Sequence, residues 1–153
     1  MSAPRLVHGT AVAIDGEALL LRGPPGAGKS DLALRLIDGG ARLVADDQVE
    51  LRRRGERIWL RAPAVLAGLL EVRGIGILRL EADAEAPLAL LIDLVPGEAA
   101  ERLPQARFET VLGLPVRRFA VAPFEASAAA KLRLMRRAFT PDRPHVYLPY
   151  GNS

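Results

Sequence analysis

Apolar and polar positions from Leu6 to Ile14 read as a strand, and Asp15-Gly16 is a turn signal leading straight into the apolar run Ala18-Leu19-Leu20-Leu21. Together they predict a β-hairpin. From Asp31 to Ile37 the apolar residues recur at helical spacing, and Gly39-Gly40 stops that helix. Ala41 to Ala45 predicts another strand, ending in Asp46-Asp47. Gln48 to Arg53 and Glu56 to Arg61 alternate well enough for a second hairpin, joined at Arg54-Gly55, with Trp59 as a packing residue. Pro63 stands where a first helical turn begins, so Ala64 to Leu70 reads as a short apolar helix. Glu71-Val72-Arg73-Gly74-Ile75-Gly76-Ile77 sets one acid and one base among glycines, the composition of a loop close to a ligand. Leu88 to Val95 is a long apolar run interrupted by Asp93 and stopped by Pro96-Gly97, which predicts a central strand. Signals from Glu98 to Pro123 are weak, with a short strand before Pro115 and another at Phe119 to Ala122. Glu125 to Ala138 reads as the last helix, with Ala129, Leu132 and Met135 on one face, and the proline-rich tail Thr140 to Ser153 as irregular.

Strands and helices in this order predict an α/β domain. The hairpin at the start makes its sheet mixed rather than all parallel. At 153 residues, without repeat, linker or low-complexity segment, the chain reads as one domain over 1–153. Half the residues are hydrophobic and a quarter charged, as in a soluble globular protein. There is no cysteine, hence neither a disulfide framework nor a thiolate metal site. No apolar run is long enough to span a bilayer and no signal-like segment follows Met1, so the expected location is cytoplasmic, away from membranes. The net charge is +3; basic clusters at Arg52-Arg53-Arg54 and from Lys131 to Arg137 carry no interleaved aromatics, and nucleic acid is not the expected partner.

Between the apolar run and the first helix lies Gly23-Pro24-Pro25-Gly26-Ala27-Gly28-Lys29-Ser30, a match without mismatch to G-x-x-x-x-G-K-[ST]. Such a loop folds its backbone N–H groups inward around phosphate oxygens, at the positive end of a helix. Lys29 is placed to reach the β- and γ-phosphates and Ser30 to offer its hydroxyl to Mg²⁺. Asp46-Asp47, at the end of a strand beside this loop, resembles the Walker B arrangement in which an aspartate binds or orients the metal. The chemistry expected is nucleotide binding with phosphoryl transfer.

These segments together resemble the catalytic domain of the HPr kinase/phosphorylase family. The resemblance rests on His8-Gly9, the loop Gly23 to Ser30, Arg42-Leu43-Val44-Ala45-Asp46-Asp47 and Glu71-Val72-Arg73-Gly74-Ile75-Gly76-Ile77, over roughly the first two-thirds of the chain. Longer members carry an additional N-terminal domain, and by this resemblance the chain is a short form. It implies a P-loop kinase fold of the phosphoenolpyruvate carboxykinase-like type, ATP and Mg²⁺ as cofactors, and phosphorylation of a serine on HPr or its nitrogen-system relative. It also implies the reverse reaction, in which inorganic phosphate releases pyrophosphate, and a homo-oligomer, in the family a hexamer.

Carried over motif by motif, Lys29 would hold phosphate, Ser30 and Glu71 would bind Mg²⁺, and Asp47 would take the proton of the attacking serine, with Asp46 binding the metal or supporting the groups that do. Adjacent acids compete for the base, and Asp46 is the alternative. Arg102, in Glu101-Arg102-Leu103, would stabilise the transferring phosphoryl group, and His8 would contact phosphate or steady Asp47. Pro123 to Lys131 departs from the family pattern, having no glycine where longer members carry a glycine- and arginine-containing loop linked to dephosphorylation. Two other readings stand beside the protein kinase: a small-metabolite kinase, and a nucleotide-responsive module without turnover.

Overall fold

The computed structural model describes residues 3–139; the tail expected to be irregular lies outside them. The elements, in chain order, are β1 (Arg5–His8), β2 (Thr10–Ile14), β3 (Glu17–Arg22), α1 (Lys29–Asp38), β4 (Arg42–Ala45), β5 (Gln48–Arg54), β6 (Arg57–Arg61), β7 (Leu69–Val72), β8 (Gly76–Arg79), β9 (Ala86–Leu94), β10 (Arg107–Val111), β11 (Leu114–Val121) and α2 (Ala128–Ala138).

β2 and β3 form the expected hairpin, Thr10 facing Leu21 and Ile14 facing Glu17. The strand read as continuous from Leu6 to Ile14 is two strands, because the chain changes partner at Gly9: β1 pairs with β5, and β2 with β3 and β4. A Cβ at Gly9 would stand 2.9 Å from the Leu21 carbonyl oxygen, so the crossing is open only to glycine. β2 is antiparallel to both β3 and β4, while β9 runs parallel to β3 and β11 parallel to β9. β3, β4, β9 and β11 therefore point the same way. Their carboxyl ends share one edge of the sheet, where ligands bind in open α/β sheets.

Both faces of the central strands are buried, which explains their continuous apolar runs. On one face Val12, Leu19, Leu21, Leu90 and Ile92 pack with Leu32, Ala33 and Leu36 of α1 and with Ala128, Ala129 and Leu132 of α2. On the other, Ala11, Ala13, Leu20, Leu88 and Leu91 meet Val49, Leu51, Ile58 and Leu60 of the β5–β6 hairpin. Strand parity would put Leu88 and Leu90 on the same face. They separate because the pairing with β3 steps from Leu88 to Leu90 as β3 advances from Ala18 to Leu19, which leaves Ala89 as a bulge.

Two expected elements change type. Ala64–Leu66 is a single 3₁₀ turn, and from Leu69 the chain is strand β7 rather than the continuation of an apolar helix. Four to seven apolar residues carry no decisive period, and pairing settles the matter: β7 finds β8, Leu69 facing Arg79 and Val72 facing Gly76. The segment expected to be a ligand loop, Glu71 to Ile77, is thus the turn and inner ends of a hairpin. Leu70 and Val72 are buried against Leu43, leaving Glu71 exposed. Of the two short strands expected here, the one before Pro115 is β10 and the one at Phe119 to Ala122 belongs to β11, which starts already at Leu114 and so contains Pro115. Among the described residues no helix is long and apolar enough to cross a membrane.

Asp93, the polar interruption of β9, is explained by a four-member ion network. Arg22 Nε donates to Asp93 at 2.8 Å and its two terminal nitrogens to Glu109 at 2.8 and 2.9 Å, while Arg118 donates to the other Asp93 oxygen at 2.7 Å. This joins β3, β9, β10 and β11 beside the start of the phosphate loop. The Arg22 guanidinium, forked onto Glu109, holds that carboxyl below the usual carboxylate range and is itself held above its own. A carboxyl depressed in the folded state stabilises above its unfolded pKa, about 4.3 for Glu, and that contribution is lost as pH falls through the folded value. Glu109→Gln is therefore expected to lower Tm at pH 7 and to flatten its decline below about pH 4.3, as read by calorimetry across that range.

Candidate functional site

The loop Gly23–Ser30 leaves the carboxyl end of β3 and turns into α1, which begins at Lys29, the seventh residue of the eight-residue phosphate motif and earlier than its apolar periodicity indicates. The close turn depends on glycine at two places. A Cβ on Gly23 would stand 2.8 Å from the Ala27 Cβ, and Gly28, at φ +103°, caps α1 in the left-handed region with its carbonyl accepting from Leu32 N–H at 2.9 Å. Lys29 is nearly buried, its ammonium donating to the carbonyls of Gly23 at 2.6 Å and Pro24 at 3.1 Å. The cation is thereby laid across the concave side of its own loop, where the inward backbone N–H groups of such a turn favour an anion.

Asp46 leaves β4 at the same sheet edge and is buried. Its Oδ1 accepts from Thr10 Oγ1 at 2.8 Å and from Ser30 Oγ at 3.1 Å, and its Oδ2 from the Glu71 N–H at 3.3 Å. One carboxylate thus ties β2, α1 and β7 together. Thr10 escapes sequence reading because threonine is an ordinary strand residue, and only the antiparallel β2–β4 pairing carries it to Asp46.

Asp47 is exposed and strained. Its φ is +74°, and Gln48 N–H donates to the Asp46 carbonyl at 2.9 Å, closing a γ-turn with Asp47 at its centre. That turn is rare for a non-glycine residue and costs on the order of 1–3 kcal/mol. The Gly9 N–H, donating to the Asp47 carbonyl at 3.1 Å, helps pin it. His8 Nδ1 lies 3.5 Å from Asp47 Oδ1, both side chains more than half exposed. Adjacent in sequence, the two aspartates have opposite environments: Asp46 is buried and accepts three hydrogen bonds, Asp47 open and aimed at solvent.

A cleft of about 700 Å³ unites these groups; His8, Thr10, Lys29, Ser30, Asp46, Asp47 and Glu71 all line it, with Pro25, Gly26 and Gly28 of the loop. Gly23, Pro24 and Ala27 form the rear of the loop and do not face it. Arg73, Phe124 and Leu34 line it too, unanticipated as site residues. Arg102 is not brought there: it is exposed in the segment between β9 and β10 and is not among the lining residues. The cleft has the elements of a phosphoryl-transfer site: an anion cradle, a lysine, a hydroxyl beside a carboxylate and a second, accessible carboxylate.

The family described as HPr Serine kinase C-terminal domain matches residues 1–121, well over half of the chain. The chain belongs to that family. It is 43% identical over 128 residues to an HPr kinase/phosphorylase of Leptothrix cholodnii, covering 75% of this chain and 39% of that protein, and 49% identical over 78 residues to one of Caldicellulosiruptor bescii, covering 50% and 25%. It spans at most about two-fifths of the length of the curated relatives it matches. The solved HPr(Ser) kinase/phosphatase of Coxiella burnetii superposes with a TM-score of 0.78 at 26% identity, over 87% of this chain and 94% of that one. The α/β mixed-sheet fold is common to both.

Proposed function

We propose that this chain is the catalytic domain of an ATP- and Mg²⁺-dependent protein-serine kinase that phosphorylates HPr, or a related phosphocarrier, in the cytoplasm. The observation that carries the reading is the convergence of the phosphate loop with Asp46 and Asp47 on one open cleft. Curated relatives named HPr kinase/phosphorylase support the choice of acceptor. The antiparallel hairpin that feeds the loop supports a P-loop kinase of the phosphoenolpyruvate carboxykinase-like type.

In this reading the loop N–H groups and Lys29 hold the β- and γ-phosphates of ATP. The donor set fits Mg²⁺, which kinases hold by one or two carboxylates, phosphate oxygens and water: a hydroxyl and a carboxylate stand side by side at the end of the loop. Ser30 Oγ and Asp46, already 3.1 Å apart, and the Glu71 carboxylate would hold the ion, which when bound offsets charge on the phosphates. Asp47 accepts the proton of the serine hydroxyl as its oxygen bonds to the γ-phosphorus and the bond to ADP breaks; an accessible carboxylate is what an acceptor presented by another protein needs. His8, within 3.5 Å, orients that carboxylate. Arg102 is proposed to act only through movement of its segment toward the cleft.

With Mg-ATP and HPr the purified chain is expected to yield phosphoserine on HPr, detected by mass spectrometry, and phosphoserine-HPr with inorganic phosphate is expected to yield pyrophosphate, Asp47 returning the proton to serine. Transfer to a small metabolite but not to HPr would replace this reading, and tight ATP binding without transfer to any acceptor would make the chain a regulatory module.

A further inference from the structure

Phe124 stands at the mouth of the cleft with 71% of its surface exposed, although it is the most costly kind of side chain to leave in water. Its position is held by the fold. A Cβ on Gly28 would lie 2.9 Å from Phe124 Cζ, so the ring rests directly on the phosphate loop where α1 begins. Arg35 of α1 donates to the carbonyls on both sides of it, Pro123 and Glu125, and is itself tied to Asp31 at 3.1 Å. Lys131 pairs with Glu125 at 2.8 Å, anchoring the far side of the turn to α2. Among the described residues no other ring or cation stacks on Phe124. Leu34, partly exposed, lines the same cleft and lies about 7.5 Å further along α1 than Lys29 at 1.5 Å per residue.

Resting on the phosphate-binding reading above, we propose that Phe124 is the stacking platform for the base of the nucleotide, with Leu34 as the apolar flank. An aromatic face one step outside a phosphate cradle, with the apolar Leu34 lining the same cleft, suits a flat π-system joined to those phosphates by a ribose. Stacking of this kind accepts any base, because every base offers a π-face, so the pocket holds ATP and GTP alike. The Pro123 to Lys131 segment thereby acquires a role in nucleotide binding.

Titration of the whole chain with Mg-ATP, Mg-GTP and inorganic tripolyphosphate tests this. Phe124→Ala is expected to raise Kd for both nucleotides about tenfold, about 1.4 kcal/mol, and leave Kd for tripolyphosphate unchanged. Phe124→Trp, in a Trp59→Phe background that removes the native tryptophan, is expected to keep ATP affinity and to lose indole fluorescence on adding ATP but not tripolyphosphate. Equal weakening of nucleotides and tripolyphosphate would overturn the proposal by making the ring a mere support of the loop. Unchanged nucleotide Kd with a raised KM for HPr would overturn it in favour of acceptor contact. If the unaltered chain bound tripolyphosphate no better than sulfate, the phosphate reading itself would fall and take this one with it.

Discussion

Asp47→Asn is expected to slow phosphoryl transfer to serine by about 10²–10⁴-fold, the usual worth of a positioned proton acceptor, while Kd for Mg-ATP and Tm stay within error. The amide keeps the size of the side chain and tolerates a left-handed backbone as well as aspartate does, so the change removes proton affinity and little else. Asp47→Gly sharpens the test. Glycine is at ease at φ +74°, so this variant is expected to be as inactive as Asp47→Asn yet no less stable than the parent, as measured by single-turnover transfer and thermal melting side by side. A strained residue that contributes nothing to the core and is needed for turnover is the pattern of a functional site. Full activity in Asp47→Asn would transfer the role to Asp46.

Asp46→Ala is expected to have the opposite profile, losing stability and activity together. Its carboxylate accepts from Thr10, Ser30 and the Glu71 N–H in a buried position, and each donor left without a partner costs about 1–3 kcal/mol unless water reaches it. A fall in Tm of several degrees is expected, with transfer reduced at least about 10²-fold as the groups proposed for Mg²⁺ lose their common anchor. Raising Mg²⁺ should recover part of the activity of Asp46→Asn and none of that of Asp47→Asn; the reverse result would exchange the two assignments. Comparison of the two variants thus separates holding the metal from taking the proton, a distinction that two neighbouring aspartates in a sequence do not carry.

Much of the site was legible because it is local. A phosphate loop is eight consecutive residues whose glycines are demanded by close approach, and a strand before it and a helix after it declare themselves by period. The Asp15-Gly16 turn likewise specified the β2–β3 hairpin, since a two-residue connection dictates its own register. The short apolar run Ala64 to Leu70 failed for the corresponding reason. Its residues suit helix and strand about equally, and the preference is set by β8, which lies beyond a turn, and by Leu43 beneath it.

From the chain alone one learns that a phosphate-loop motif is present, that it is fed by an antiparallel hairpin, and that two acids end a strand, since each is written within a few consecutive residues. That β2 lies between β3 and β4, so that both carboxyl ends emerge together, was decided only in three dimensions. So were the hydrogen bond from Thr10 to Asp46 and the exposure of Asp47, the placing of Phe124 on Gly28, and the position of Arg102 outside the cleft lining. Those outcomes depend on contacts between residues tens of positions apart, where strand order and the packing of buried faces, rather than any local preference, select which side chains meet.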